Sequence, residues 1–355
     1  MADSYYQIPT TPKLYISYPL WLYATVGATD FYSDYIFTNP NETDHINTIQ
    51  INPSNYTTYE FDDYNGVFHF PLTTAVNTAD STLDIGNLWN FDFVMFLNHN
   101  WNTTGHYPSL KSWNGLEDGM LETDITMSNI VNYNVDSSPE YDGWSLAEMS
   151  DKPSDPSENI LSVYLNSEQE LYPTLGSVMF GKSYTFPQNC SLNASTKFSY
   201  GIKQKKTISG KTISTPNFTR PNNWITEPFG LGTDIDNNFQ RRSGLRSWTM
   251  QFDSLSPSKV MPQNMMVNDN NYTLQDNHTE GGVGGSSAYN IHNDLDFFST
   301  VVNKTYANHL PMVLQINKDD YSPSNFAIVR MNPDYQITQK SPQLYNIKVS
   351  FTEQI

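Results

Sequence analysis

Short runs in which apolar and polar residues alternate, closed off by Gly, Pro, Asn and Asp, recur along the whole chain of 355 residues. Alternation of period two is the signature of a half-buried strand. With the turn residues that punctuate the chain, candidate strands are read at 14–24, 66–72, 91–98, 124–134, 160–165, 176–186, 196–202, 248–255, 310–316, 326–331, 335–339 and 344–351. The last is the clearest: Tyr345, Ile347, Val349 and Phe351 share one face, and Asn346, Lys348 and Ser350 the other. One helix is predicted over 294–304, where Leu295, Phe298 and Val302 fall at i, i+3 and i+7 behind a cap at Asn293 or Asp294. Two stretches read as loops. Ser137–Glu158 is rich in Ser, Pro and acids, and Pro262–His292 is built of Asn, Asp, Gly and Ser. Many short strands with close turn signals and one helix make an all-β sandwich or barrel the expected fold class.

Composition moves in the same direction. Aromatic residues make up 14% of the chain and charged ones 16%, the latter well under the roughly 25% of an average soluble protein. Polarity is supplied mainly by neutral groups, 38 Asn among them, so rigid hydrogen-bonding surfaces are expected more than solvated charged helices. The formal charge of −18 is unevenly spread. Residues 1–160 hold 22 acids and 3 basic side chains, a net of −19; residues 161–355 hold 15 and 16, a net of +1. In the second half Lys197, Lys203, Lys205, Lys206, Lys211 and Arg220 follow one another with no acid between them. The run 203–213 reads first as a hairpin of solvated lysines about a Ser-Gly turn. The functional alternative is a subunit contact with an acidic surface, such as the N-terminal half of a neighbouring copy. Its candidate residues are Lys203, Lys205, Lys206, Lys211, Arg241 and Arg242. Specific nucleic-acid binding is not expected.

Candidate chemistry is sparse. No apolar run reaches the roughly 18 residues of a membrane helix, and the first ten residues carry no basic n-region, so neither a membrane nor a targeting signal is expected. Cys190, the single cysteine, allows no internal disulfide and no cysteine zinc site. The seven histidines are scattered without metal-ligand spacing. The runs starting at Asp234 and Asp269 have calcium-loop spacing in outline, but the second has Leu274 where the turn needs Gly, and both read as polar loops. Nucleophile-elbow, phosphate-cradle and dinucleotide motifs do not occur. Asp62 with Asp63, Glu117 with Asp118, or Asp142 near Trp144 offer carboxylate pairs for a glycosidase, but acids are so abundant in this half that pairs arise anyway. The reading is therefore no enzyme, no catalytic residue, no metal and no cofactor. Trp101, Trp113 and Trp144 suit sugar stacking or a sandwich core equally well.

Five segments then follow in order: Arg246-Ser-Trp248, the pair Phe297-Phe298, Asn308-His-Leu310-Pro311, Phe326–Arg330 and the run from Tyr345 to Glu353. This succession over 241–355 resembles the minor and distal tail proteins of tailed bacteriophages. The segments Leu88–Trp101 and Leu175–Pro187 resemble strands of galactose-binding-like jelly-roll modules in viral tail proteins. Across most of its length the chain is similar to virion proteins of marine phages and cyanophages. The resemblance implies a mostly β protein: a jelly-roll β-sandwich module over 31–190, a Lys-rich hairpin and connector over 191–240, and a tail-tube-like β-barrel or sandwich domain over 241–355 with one short helix and a long loop, 262–292. Residues 1–30 would be an N-terminal segment belonging to the tail-tube-like domain. The implied function is a distal-tail, baseplate or minor tail structural protein that forms a homo-oligomeric ring, contacts other tail proteins and assembles in the host cytoplasm into the virion. A host-surface carbohydrate-binding tail protein is the first alternative, with Asn98, His99, Asn100 and Trp101 as glycan contacts; a polysaccharide depolymerase is the second.

Overall fold

The computed structural model describes residues 10–26, 51, 91–113, 122–149, 160–167, 172–192, 194–215, 244–262 and 296–354, and the backbone of further strands at 57–58, 66–71, 75–78 and 81–84. The described protein is mostly β, and its sheets are antiparallel throughout. Three sheets carry the architecture. The outer sheet runs 66–71, 160–167, 106–113, 122–124, and the inner sheet 177–181, 93–99, 143–149, 127–131. The large sheet orders its strands 183–185, 13–15, 312–315, 326–331, 344–353, 245–255, 195–199, with 336–341 also pairing 344–353. It thus draws on both ends of the chain.

The inner sheet explains the layering. Phe93-Val-Met-Phe-Leu97 has no polar residue to turn toward water, so a strand made of it must be covered on both faces. Both faces are indeed covered. Val94 and Phe96 pack with Leu161 and Val163 of the outer sheet, while Phe93, Met95 and Leu97 pack with Tyr15, Val313 and Phe326 of the large sheet. The far face of the large sheet, through Met250, Phe252, Leu314 and Val329, closes on Phe297 and Val301. Each fully buried side chain of this size is worth about 1.5–3 kcal/mol of transfer free energy.

The predicted strand 176–186 proves to be two. Ser177–Gly181 lies in the inner sheet and Ser183–Thr185 in the large one. The crossing is at Gly181, where an added Cβ would stand 2.2 Å from the Ile16 carbonyl oxygen and 2.8 Å from Tyr18 Cδ1. Only glycine lets the two backbones approach so closely.

Several expectations need correction. The strand expected over 14–24 stops at Tyr15, and Tyr18–Val26 is helical. Pro19 lacks the N–H that a first turn leaves unbonded anyway, and the Ser17 hydroxyl accepts the Leu20 N–H at 3.3 Å, so the helix starts there. Its apolar residues point all round and it is largely buried, so no amphipathic period marked it in the sequence. Within the stretch read as a loop over 137–158, Gly143–Met149 is a central strand of the inner sheet with every residue buried. Its Pro- and acid-rich flanks hid it. In the helix expected over 294–304, the described part winds as a π-helix, Phe298–Asn303, whose start is capped by Asp296 Oδ1 accepting the Ser299 N–H at 3.1 Å. With Tyr18–Val26, Trp101–Thr104 and Pro257–Val260 also helical, the protein has more than the one short helix expected. Apart from Pro262, the loop 262–292 lies outside the described residues, as do both calcium-like runs. No described helix is long and apolar enough to cross a membrane.

Candidate functional site

The four residues proposed for glycan contact sit where the inner-sheet strand Phe93–His99 ends. The ladder pairs Leu97 with Trp144 and His99 with Gly143, leaving Asn98 as the extra residue of a bulge at a φ of 60°. Asn98, His99 and Trp101 are buried, the last two completely. His99 stacks on Trp101 with ring centres 4.4 Å apart, and its Nε2 is 2.8 Å from the Ser145 hydroxyl, which donates to the Asn132 carbonyl. Asn100 Oδ1 accepts the Thr174 N–H at 2.7 Å. Burial drives His99 down to about 3, against a weaker opposing hydrogen bond to the backbone of Trp144, so the ring is neutral at ordinary pH. The structure therefore brings the quartet together as a packed corner. Neither Trp101 nor His99 has a face to offer a sugar ring, and the Ser145–His99 pair is closed to substrate.

Among the acid candidates, Asp142 accepts the Thr103 N–H at 3.0 Å and the Thr103 hydroxyl, holding the short helix Trp101–Thr104 in place. Trp144 is buried completely against Phe326, 5.1 Å away. Asp62, Asp63, Glu117 and Asp118 lie outside the described residues. Among the described residues, no three His, Cys, Asp or Glu side chains gather as a metal site.

Two polar clusters hold the body together, and the first, which sequence reasoning missed, ties the inner sheet to the large one. Glu148 faces the large sheet from the inner one. Its Oε1 accepts from Lys13 Nζ at 2.5 Å and Tyr15 OH at 2.6 Å, and its Oε2 from Asn129 Nδ2 at 3.0 Å and Tyr321 OH at 3.2 Å. Burial by itself raises the Glu148 carboxyl, but the Lys13 ammonium and these hydrogen bonds outweigh it and hold it below the usual carboxylate range. Nothing local in the sequence signalled this, because Lys13 and Glu148 are 135 positions apart. The second cluster joins Arg246, whose own N–H donates to Glu353 Oε2 at 2.8 Å and whose Nη2 reaches Glu353 Oε1 at 2.9 Å and the Phe326 carbonyl at 3.1 Å. The guanidinium lies 4.9 Å over the Trp248 ring. Arg246, Trp248, Phe326 and Glu353, singled out by their order along the chain, thus meet at one buried point.

The lysine-rich run has the opposite character. Lys203–Lys206 pairs with Thr212–Thr215 as a hairpin, with Lys205 opposite Ile213 and Lys203 opposite Thr215. Gly210, at a φ of 79°, turns the chain, and the Thr207 hydroxyl accepts the Lys211 N–H at 3.1 Å. This is the hairpin expected from the sequence. Every residue of both strands is exposed, and among the described residues the two pair only with each other. Among the described residues, Lys203, Lys205, Lys206 and Lys211 take part in no ion pair. Arg241 and Arg242 lie outside the described residues. Exposed apolar residues are frequent along 192–213: Leu192, Phe198, Tyr200 and Ile202 precede the hairpin, and Ile208 and Ile213 are within it.

The described residues thus offer two things: a β body whose polar clusters are spent on joining its sheets and strands, and an exposed basic hairpin carrying apolar side chains. No protein-family model, no curated protein and no solved structure matches the chain.

Proposed function

We propose that the chain is a structural subunit of a tailed-phage virion, a distal-tail, baseplate or minor tail protein that assembles with copies of itself into a ring and joins neighbouring tail parts. The observation that carries this reading is the Lys203–Thr215 hairpin, a basic element with outward apolar side chains and no place in the body's core. A soluble monomer gains nothing from such an element, whereas an assembling subunit uses it as a contact. The order of segments over 241–355 that resembles phage tail proteins supports it, and so does the meeting of Arg246, Trp248 and Glu353. On this reading the large sheet belongs to the tail-tube-like part and the sandwich of inner and outer sheets to the jelly-roll module. The near-neutral half carries the assembly surface, where dense packing of copies meets little self-repulsion, and the acidic half faces solvent or a neighbour.

Mass spectrometry of purified particles tests it. Peptides of this chain at a fixed stoichiometry to the other tail proteins are expected, and a particle map should place them in a ring. Absence of the chain from particles overturns the proposal.

A further inference from the structure

We propose that the basic hairpin docks head-to-tail on a second copy of this chain, against the acidic edge of that copy's inner sheet formed by Met127–Val131 and the turn after it. The proposal rests on reading the chain as an assembly subunit and names the two surfaces that meet.

The donor surface is unusual on its own terms. A two-stranded hairpin is marginal in water unless a third strand or a core supports it. Among the described residues no core side chain supports it, and Ile208 at its tip is as accessible as in an isolated peptide, at 110%. The register puts Lys203 and Lys205 on the same face as Ile213, so one face combines positive charge with an apolar centre. Between 195 and 215 there are five lysines and no acid.

The receiving surface has the complementary make-up. Met127–Val131 is an edge strand of the inner sheet, paired on one side only among the described residues. Ile130 and Val135 beside it are exposed at 51% and 43%. Asp136 and Glu140, both exposed, follow in the turn after the strand, and residues 125–141 contain these two acids and no basic residue. Each patch thus has an apolar centre and a charged rim, which is the anatomy of a protein interface, and the rims are opposite in sign. Because the two patches differ, the contact is heterologous. Repeated from copy to copy it closes a ring or extends a row. A lipid surface or nucleic acid would match the lysines but would leave the acidic apolar edge unused.

The full-length chain tests this. Sedimentation velocity over a range of concentration at low and high salt should show self-association that weakens by about tenfold or more as salt rises. The arm variant Lys203→Glu/Lys205→Glu/Lys206→Glu/Lys211→Glu and the edge variant Asp136→Lys/Glu140→Lys should each be monomeric alone. Mixed together they should associate, because each then offers the other an opposite charge at both patches. A zero-length carbodiimide cross-link should join hairpin lysines of one copy to Asp136 or Glu140 of another. An Ile208→Ser/Ile213→Ser variant, whose charges are intact, should weaken association while leaving the circular dichroism spectrum and thermal midpoint unchanged. A wild-type chain that stays monomeric, charge reversals without effect, or cross-links that map elsewhere overturn the docking. Self-association through these patches in a protein missing from particles would overturn the virion reading and leave the docking standing.

Discussion

The strand Phe93–His99 and the hairpin strands 203–206 and 212–215 are both antiparallel β, yet every residue of the first is buried and every residue of the second is exposed. The difference lies in what surrounds them. The inner strand has a sheet on either face, so its side chains are fixed by packing and its polar groups by named partners. Among the described residues the hairpin has only its own ladder, so its exposed side chains stay available to something outside the chain. In this protein burial locks chemistry into architecture, and the reactive-looking residues, His99, Ser145, Glu148 and Trp144, are all on the locked side. The body should therefore respond to mutation through folding, and the hairpin through association.

The largest effect is expected at Trp144, which is fully buried between the inner and large sheets. Trp144→Ala should cost about 3–5 kcal/mol of unfolding free energy in a chemical denaturation curve. A change under about 1 kcal/mol would mean that the two sheets do not share a core there. Glu353→Ala should fall in the same range, because it leaves the Arg246 guanidinium buried without its carboxylate.

A pH titration sharpens the contrast next. His99 has a folded pKa of about 3 against 6.5 unfolded, so between those values the unfolded chain binds the extra proton. Stability on this account is complete above pH 6.5 and falls as pH drops through that window, by about 1.4 kcal/mol per pH unit. Glu148, with its carboxyl held low, adds stability above the unfolded value of 4.5 that is lost below it, so it steepens the same limb further down. His99→Phe should lower stability at pH 7, but should flatten the fall between pH 6.5 and 4.5 by about 2–3 kcal/mol. An unchanged slope would show that the ring is reached by water.

Gly181→Ala is expected to cost about 1–3 kcal/mol or more, since the new methyl meets the Ile16 backbone and neither chain can retreat from the crossing between sheets. That crossing also shows where the sequence was legible. The apolar run 93–97 and the alternation over 344–351 announced their strands, because covering on two faces or on one leaves a direct pattern. Gly143–Met149 did not, since Gly, Ser and Glu interrupt it, and its polar members are satisfied by partners distant in the chain: Ser145 by Asn132 and His99, Glu148 by Lys13 and Tyr15. The helix Tyr18–Val26 was read as strand because a helix buried all round has no amphipathic period. Of the residues picked out for contacts, the lysines are where their charge suggested, on an exposed hairpin. The Asn98–Trp101 quartet is not, because a polar, aromatic sequence looks the same in a binding loop and in a hydrogen-bonded bulge.

The smallest effect on folding is expected in the hairpin, and it is the most telling. Ile208 and Ile213 belong to none of the core clusters, and Ile213 is still 57% exposed, so replacing both by Ser removes little buried area from the monomer. The unfolding free energy should stay within about 0.5 kcal/mol of the wild type, as for surface substitutions generally. A loss of 2 kcal/mol or so, the range for truncating core aliphatic side chains, would mean that these isoleucines are covered within a single chain. The comparison with Phe93–His99 would then fail. A small loss combined with weaker self-association would instead separate the two kinds of β structure as cleanly as their burial does, with apolar side chains serving the fold in one and a neighbouring copy in the other.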